Sequence, residues 1–235
     1  MKIRILFLKF LLLSSSLTFA QDINNKNDER KPIDSLTKGL VKQKGIITSY
    51  TEGDKLFFEI DKEVLGKDFL MVTRFVQFPA NFQAYQNAGS KTSEQLINFI
   101  KKDNQIIIVQ KSYVNIADIK DPIAKSVAQN NFPPILGGFS IKNNEKEKFL
   151  IDVGKYFNND SPGFNILSST QKKQFGIGGV DTKRSFIDNI KSFQKNIEIR
   201  HTLTYRSSKA PKGNLTKTVS FQVNHSIILL PEDLM

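Results

Sequence analysis

The 235-residue chain contains no cysteine, no tryptophan and only two histidines, His201 and His225. Without cysteine there is neither a disulfide framework nor a lipid-modified cysteine after a signal peptide. The His-Glu-x-x-His pattern of helical zinc sites is absent, and so is the Gly-x-Ser-x-Gly turn that positions a hydrolase serine. The residues therefore predict no catalytic, cofactor-binding or metal-binding site within this chain.

The N-terminus has the features of a secretory signal. Basic residues precede an apolar run, Ile5–Leu13, which Lys9 interrupts, and the small residues Thr18 and Ala20 precede the expected cut. A membrane span needs about 20 apolar residues, and this run is too short. We therefore expect residues 1–20 to be a signal peptide. The mature protein is expected to be periplasmic or extracellular, without stable membrane insertion.

The formal net charge of +11 raises the question of a nucleic-acid partner. The lysines are scattered along the chain, and no cluster alternates aromatic residues with arginine as a base-stacking surface does. An exported protein also meets few nucleic acids. The charge is therefore interpreted as a solvated surface, with no nucleic-acid partner.

Strands dominate the sequence pattern. In Asn196–Tyr205 and Lys217–Leu229 every second residue is apolar or histidine, which is typical of half-buried antiparallel strands. Three further hairpins are predicted from β-rich runs on either side of short polar turns: Gly45–Tyr50 with Lys55–Ile60, Gln95–Ile100 with Gln105–Gln110, and Phe139–Lys142 with Lys148–Val153. The fold class is mainly β or α+β, with antiparallel sheets built from hairpins and two or three short helices.

Short helical segments are expected at Asp61–Lys67, Asp121–Gln129, Lys155–Asn158 and Ser185–Phe193. The domain organisation after the signal peptide follows from the composition. Residues 21–37 read as a flexible leader and 38–77 as a small β unit, followed by a loop at 78–94 and a main β-rich domain at 95–235.

Four groups of residues are candidate sites. His201 and His225 share the apolar face of a hairpin, as a hydrogen-bonded pair or as two ligands of a metal site completed elsewhere. Gly176–Gly179 is interpreted as a flexible loop rather than a phosphate-binding loop. Asp181–Ser185 (DTKRS) is interpreted as an ion pair or helix start rather than a carboxylate clamp. Glu59, Asp61 and Glu63 are interpreted as solvated acids at a strand end rather than paired catalytic carboxylates.

The order of several segments resembles the N-terminal region of secreted bacterial zinc-dependent metalloproteases. The matching stretches are Lys44–Ile60, Leu65–Arg74, Asp121–Ala128, Phe149–Val153, DTKRS, Asn196–Arg200 (NIEIR) and His225–Met235 (HSIILLPEDLM). In that family a β-rich domain of unknown function precedes the catalytic domain. The resemblance implies that zinc belongs only to that later domain, because no residue here corresponds to its ligands or its general base.

The final strand, Phe221–Met235, runs into Leu-Pro-Glu without a closing element, so we expect a catalytic domain of the same polypeptide to follow. The residues expected to contact that domain are His225, Leu230, Pro231, Glu232 and Met235. The resemblance thus implies a non-catalytic accessory region of a metalloprotease. Two alternatives stay open: a free-standing exported binding module for glycans or cell-surface polymers, and a gene remnant that does not fold stably.

Overall fold

The computed structural model describes residues 30–82, 87–112, 114, 117–118, 120–164 and 166–231. Within these residues the chain forms two antiparallel sheets, four short α-helices and two 3-10 turns. The strands are β1 (Val41–Gln43), β2 (Thr48–Glu52), β3 (Lys55–Asp61), β4 (Phe69–Gln77), β5 (Lys91–Lys102), β6 (Gln105–Lys111), β7 (Ile135–Ser140), β8 (Lys148–Asp152), β9 (Ile177–Val180), β10 (Phe186–Ser192), β11 (Asn196–Ser207) and β12 (Thr218–Leu229). The helices are α1 (Ile33–Leu36), α2 (Ala124–Asn130), α3 (Gly154–Phe157) and α4 (Ser169–Gln174), and the 3-10 turns are Lys62–Val64 and Thr182–Arg184.

The two sheets differ in size. The smaller sheet has the strand order β1-β2-β3-β8. The larger sheet has the order β10-β11-β12-β4-β5-β6-β7, with β9 also pairing with β11, and it curls into a half-barrel. This architecture confirms the expected β-rich class built from antiparallel sheets. None of the helices among the described residues has the length and apolar content needed to span a bilayer.

Phenylalanine is a major component of the core. The chain has 19 phenylalanines, and the fully buried ones come from both sheets and from the connections between strands: Phe58, Phe69, Phe75, Phe82, Phe99, Phe157, Phe164 and Phe221. Burying an aromatic ring removes roughly 150–250 Å² from water. These rings therefore give the domain a large apolar core without tryptophan or disulfides.

The long hairpin of β11 and β12 follows the predicted alternation. The apolar positions and both histidines face inward and are buried, and the register pairs Ile199 with His225 and His201 with Val223. The hairpins β2–β3 and β5–β6 are also confirmed. Three expected helical segments are confirmed: two in shortened form, as the turn Lys62–Val64 and as α2, and one displaced by a single residue, as α3.

The third predicted hairpin is wrong. Strand β7 pairs with β6 in the larger sheet, whereas β8 pairs with β3 in the smaller one. The two segments meet at an isolated bridge between Ile141 and Ile151, where the Lys142 N–H donates to the Leu150 carbonyl. The side chain of Asn143 shapes the turn instead, because its amide donates to the Lys148 carbonyl and its oxygen accepts from the Leu150 N–H.

The predicted helix at Ser185–Phe193 is also wrong, because these residues form the edge strand β10. Pairing with β11 buries Ile190, and the strand takes a register shift between Ile187 and Asn189. Tertiary pairing here overrides a weak local pattern. Helix α4 was not expected, although Ser168 and Gln171 form a reciprocal capping box whose sequence signal was available.

The sheets do not follow the expected units 38–77 and 95–235. Strand β4, from the first unit, lies between β5 and β12 of the second, and β8 of the second completes the sheet of the first. Within the expected leader 21–37, residues 21–29 lie outside the described residues. From Ile33 onward this segment is packed, since Ile33 is buried against Tyr50 and Leu150.

Candidate functional sites

The two histidines meet inside the core. His201 on β11 and His225 on β12 are both 0% exposed, and their Nε2 atoms are 2.6 Å apart. Such a contact requires one ring to donate its N–H and the other to accept. The Nδ1 atom of His225 lies 2.8 Å from the Thr73 hydroxyl. The expected hydrogen-bonded pair is therefore confirmed, and its burial is complete.

Aromatic rings enclose this pair. Phe164 lies 4.2 Å from His225 between ring centroids, and Phe157 lies 5.7 Å from it. Burial lowers the pKa of His201 to about 3, an effect that the Phe157 backbone only partly opposes. Burial also holds the pKa of His225 well below its usual value, and a proton on His201 would lower that pKa further. Both rings are therefore neutral at pH 7.

The pair does not fit a metal. Two imidazole nitrogens bound to one tetrahedral zinc, each at 2.0–2.1 Å, would be about 3.3 Å apart, farther than the observed contact. Across the described residues, no group of three or more histidine and carboxylate side chains gathers around a common point. The geometry instead suits a structural hydrogen bond that links β11, β12 and β4.

Glu59 is a buried carboxylate outside the histidine pair, at 5% exposure. Its carboxylate accepts from Lys148 Nζ at 2.8 Å and from the Tyr50 hydroxyl at 2.5 Å. Burial alone would raise the pKa of Glu59, but these two hydrogen bonds, together with the charges of Lys148 and Lys42, outweigh it and lower the pKa. The interpretation of Glu59 as a solvated acid is therefore wrong, whereas Asp61 and Glu63 are exposed as expected.

The DTKRS segment forms a 3-10 turn that is tied to the sheet. Asp181 accepts from the backbone of Lys183 and pairs with the Arg184 guanidinium at 2.9 Å. The Ser185 hydroxyl donates to the Asp181 carbonyl and accepts from the Thr204 N–H. The predicted ion pair is confirmed. The neighbouring glycines of 176–179 are not the expected flexible loop, because most of them belong to strand β9.

The residues expected to contact a further domain range from buried to exposed. His225 lies in the core, while Leu230 is half-buried and donates its N–H to the Asp68 carbonyl. Pro231 is exposed. Glu232 and Met235 lie outside the described residues. Of the described members of this group, only Leu230 and Pro231 present a surface.

A mixed-charge cleft of about 610 Å³ lies between the β2–β3 turn and the start of α3. Its lining includes Glu52, Asp54, Asp152, Lys55 and Lys155. Glu52 and Lys55 pair with each other at 2.7 Å, and the carboxylate of Asp152 accepts the N–H of Gly154. The two signs of charge in the lining point to no single ligand class.

A surface that sequence reasoning missed lies along β7, at one end of the larger sheet. We define the β7 edge surface as Phe132, Pro133, Pro134 and Ile135. Phe132 is 78% exposed and Ile135 is 51% exposed. The first three of these residues line a groove of about 400 Å³ together with Gln110, Lys111, Ser112 and Asn131.

A second missed surface lies on the outer face of the larger sheet. We define the hydroxyl–amide groove as the depression of about 370 Å³ lined by Gln77, Phe78, Pro79, Thr202, Asn214, Thr216, Thr218, Ser220, Phe221 and Gln222. Three distant parts of the chain contribute to it. No local sequence signal marks it, because it exists only through strand pairing.

Two family models match the chain. Residues 89–235 match Domain of unknown function (DUF5117), and residues 30–78 match Domain of unknown function (DUF5118). No curated protein and no solved structure matches it. The first match covers more than half of the chain. The two matches divide it near the expected boundary between 38–77 and 95–235, although the strands cross that boundary.

Proposed function

Since the chain belongs to the DUF5117 family, whose function is not known, we propose that it is a non-catalytic accessory domain of a secreted zinc-dependent metalloprotease. In this proposal it packs against the catalytic domain of the same polypeptide, which would hold the zinc. The proposal draws on the segment order described above, including DTKRS, NIEIR and HSIILLPEDLM.

The observation that carries the proposal is the β7 edge surface. Within the described residues, β7 pairs with β6 on one side only, apart from the bridge at Ile141. An unpaired strand edge beside exposed apolar side chains is a template for pairing with another chain and is typical of a surface that another protein covers. Phe132 and Ile135 would supply apolar contacts to a docked domain, and the β7 backbone would supply hydrogen bonds.

The two buried histidines and the buried Glu59 are engaged in holding the fold. His201 and His225 bind each other, and Glu59 binds Lys148 and Tyr50. Such groups stabilise strand pairing and do not reach a substrate. This agrees with a role in supporting an enzyme rather than in bond cleavage.

The test begins with the native polypeptide. A tag at residue 231 or a specific antibody would isolate the secreted protein, whose length, zinc content and peptidase activity are then measured. We expect a longer chain with bound zinc and chelator-sensitive peptidase activity. A stable secreted product without a zinc domain, or chelator-sensitive peptide hydrolysis by residues 21–235 alone, would refute the proposal.

The surface is tested by adding purified residues 21–235 to the separately produced catalytic domain. Phe132→Ser should weaken their association by roughly ten-fold or more, because burying a phenylalanine contributes about 1.5–3 kcal/mol. Leu215→Ser is the matched control, since Leu215 is 95% exposed in the β11–β12 loop, away from β7. Equal weakening by both variants would contradict the assigned surface.

A further inference from the structure

The hydroxyl–amide groove contains an ordered row of side chains across three strands. Gln77 on β4 lies opposite Gln222 on β12, and Gln222 lies opposite Thr202 on β11. Ser220 lies two residues before Gln222, so it belongs to a parallel row about 7 Å away on the same face. These positions point outward because the alternate residues, among them Val223 and Leu203, fill the core.

Hydrogen bonds within the protein hold these side chains in place. One oxygen of Asp188 accepts from the Thr202 hydroxyl at 2.9 Å and from the Gln222 amide at 3.0 Å. Each of these two groups uses its donor on Asp188 and keeps an oxygen that can accept a further hydrogen bond. Because these side chains are already ordered, ligand binding costs less conformational entropy here.

Asn214, Thr216 and Thr218 form one wall of the groove, and hydrogen bonds hold this wall in place as well. The Asn214 amide donates to the Thr218 carbonyl at 2.7 Å, and its oxygen accepts from both the backbone and the hydroxyl of Thr216. Arg184 donates to the Thr218 hydroxyl from outside the groove. The wall therefore presents a defined shape rather than a freely moving loop.

The chemistry of the lining selects the class of ligand. Seven of the ten lining residues carry neutral hydroxyl or amide groups, and none of the ten is charged, although the whole chain has a net charge of +11. Phe78 and Pro79 add an apolar surface beside them, with the Phe78 ring braced edge-on against Phe75 at 5.8 Å. Neutral hydrogen-bonding groups next to an aromatic ring suit a molecule with many hydroxyls and apolar C–H faces.

We propose that the hydroxyl–amide groove binds a neutral carbohydrate chain. The ligand hydroxyls donate to the oxygens of Thr202 and Gln222, and a sugar face packs on Phe78. An anionic polymer is disfavoured because the lining offers it no cation. This inference is independent of the accessory role and holds whether or not a catalytic domain follows.

The test uses purified residues 21–235 and a panel of soluble neutral hexasaccharides: β-1,4-glucan, α-1,4-glucan, β-1,4-mannan and β-1,4-N-acetylglucosamine. Hexagalacturonate serves as the anionic contrast. Calorimetry measures affinity, and amide NMR shifts locate the ligand. We expect at least one neutral hexasaccharide to bind at millimolar concentration or below, with shifts at Thr202, Ser220 and Gln222.

A matched pair of double variants tests the location. Thr202→Val with Gln222→Ala should weaken binding about ten-fold, the loss expected for two hydrogen bonds. The control is Asn224→Ala with Ser226→Ala. These two side chains lie on the same sheet face and donate to Glu198, just as Thr202 and Gln222 donate to Asp188. The control variant should bind the hexasaccharide with the affinity of the wild type. Thermal melting verifies that both variants are folded.

Three outcomes would overturn the inference. The first is that no neutral hexasaccharide binds at about 10 mM, since weaker binding corresponds to less than about 3 kcal/mol. The second is that hexagalacturonate alone binds. The third is binding outside the groove, seen either as an equal loss of affinity in the control and groove variants or as NMR shifts that map elsewhere.

Discussion

Acidification from pH 7.5 to 5.0 is expected to destabilise the protein through its buried histidine pair. The folded-state pKa of His201 is about 3, whereas the unfolded chain titrates near 6.5. Because the folded state binds fewer protons, this stabilisation is complete above pH 6.5 and is lost progressively as the pH falls toward 3. Each pH unit in that window costs about 1.4 kcal/mol for one histidine.

At pH 5.0 the loss through His201 is therefore about 2 kcal/mol. His225 adds to it, because burial and His201 shift its pKa in the same direction. Urea unfolding at both pH values measures the change. The reference variant combines Thr73→Val, His201→Phe and His225→Leu, which removes the pair and its hydroxyl partner while leaving the carboxylates that also titrate.

The wild type should lose at least about 2 kcal/mol more than this variant between the two pH values. NMR gives an independent check that needs no substitution, since the chain has two histidines and hence two imidazole signals. Neither signal should titrate between pH 7.5 and 5.0 while the protein is folded. A midpoint above pH 6 for either signal would refute the reasoning. So would losses of unfolding free energy between pH 7.5 and 5.0 that agree within about 1 kcal/mol for the wild type and the reference variant.

Two further substitutions test the packing by urea unfolding at pH 7.5. Glu59→Gln should cost about 1–3 kcal/mol because it removes the buried carboxylate that accepts from Tyr50 and Lys148, whereas Glu52→Gln at a 58% exposed ion pair should cost less than about 1 kcal/mol; equal costs would contradict the importance of the buried carboxylate. Gly45→Ala should cost about 1–3 kcal/mol because its Cβ would lie 2.5 Å from a backbone oxygen just after β10. Gly179→Ala, with no atom within 4 Å of the added carbon, should change the stability by less than about 0.5 kcal/mol. If Gly179→Ala destabilised the protein more than Gly45→Ala, the close contact at Gly45 would be ruled out.

The sequence was most informative where structure depends on near neighbours. The hairpin of β11 and β12 could be predicted, with the contact between His201 and His225, because alternation and a single connecting loop determine its register. The short turns at Lys62–Val64 and α3 were likewise marked by local residues. In these segments the pattern and the tertiary structure agree.

Pairing between strands that are far apart in the sequence could not be predicted from the local pattern. Strand β8 resembled the return strand of a hairpin with β7, but it pairs with β3, roughly 90 residues earlier. The same pairing brings Lys148 to Glu59, so the burial of this acid could not be read from its own neighbours. The hydroxyl–amide groove was missed for the same reason, since Gln77 and Thr202 become neighbours of Gln222 only in the folded sheet.

The crossing of strands between the two matched segments has a consequence for inheritance. Residues 30–78 supply a central strand to the half-barrel, and residues 89–235 return one to the smaller sheet. A recombination event that moved either segment alone would therefore leave each sheet without one of its strands. The moved segment would carry a strand that has no sheet to join. We expect genomes to keep the two as neighbours in a fixed order, as a single evolutionary unit.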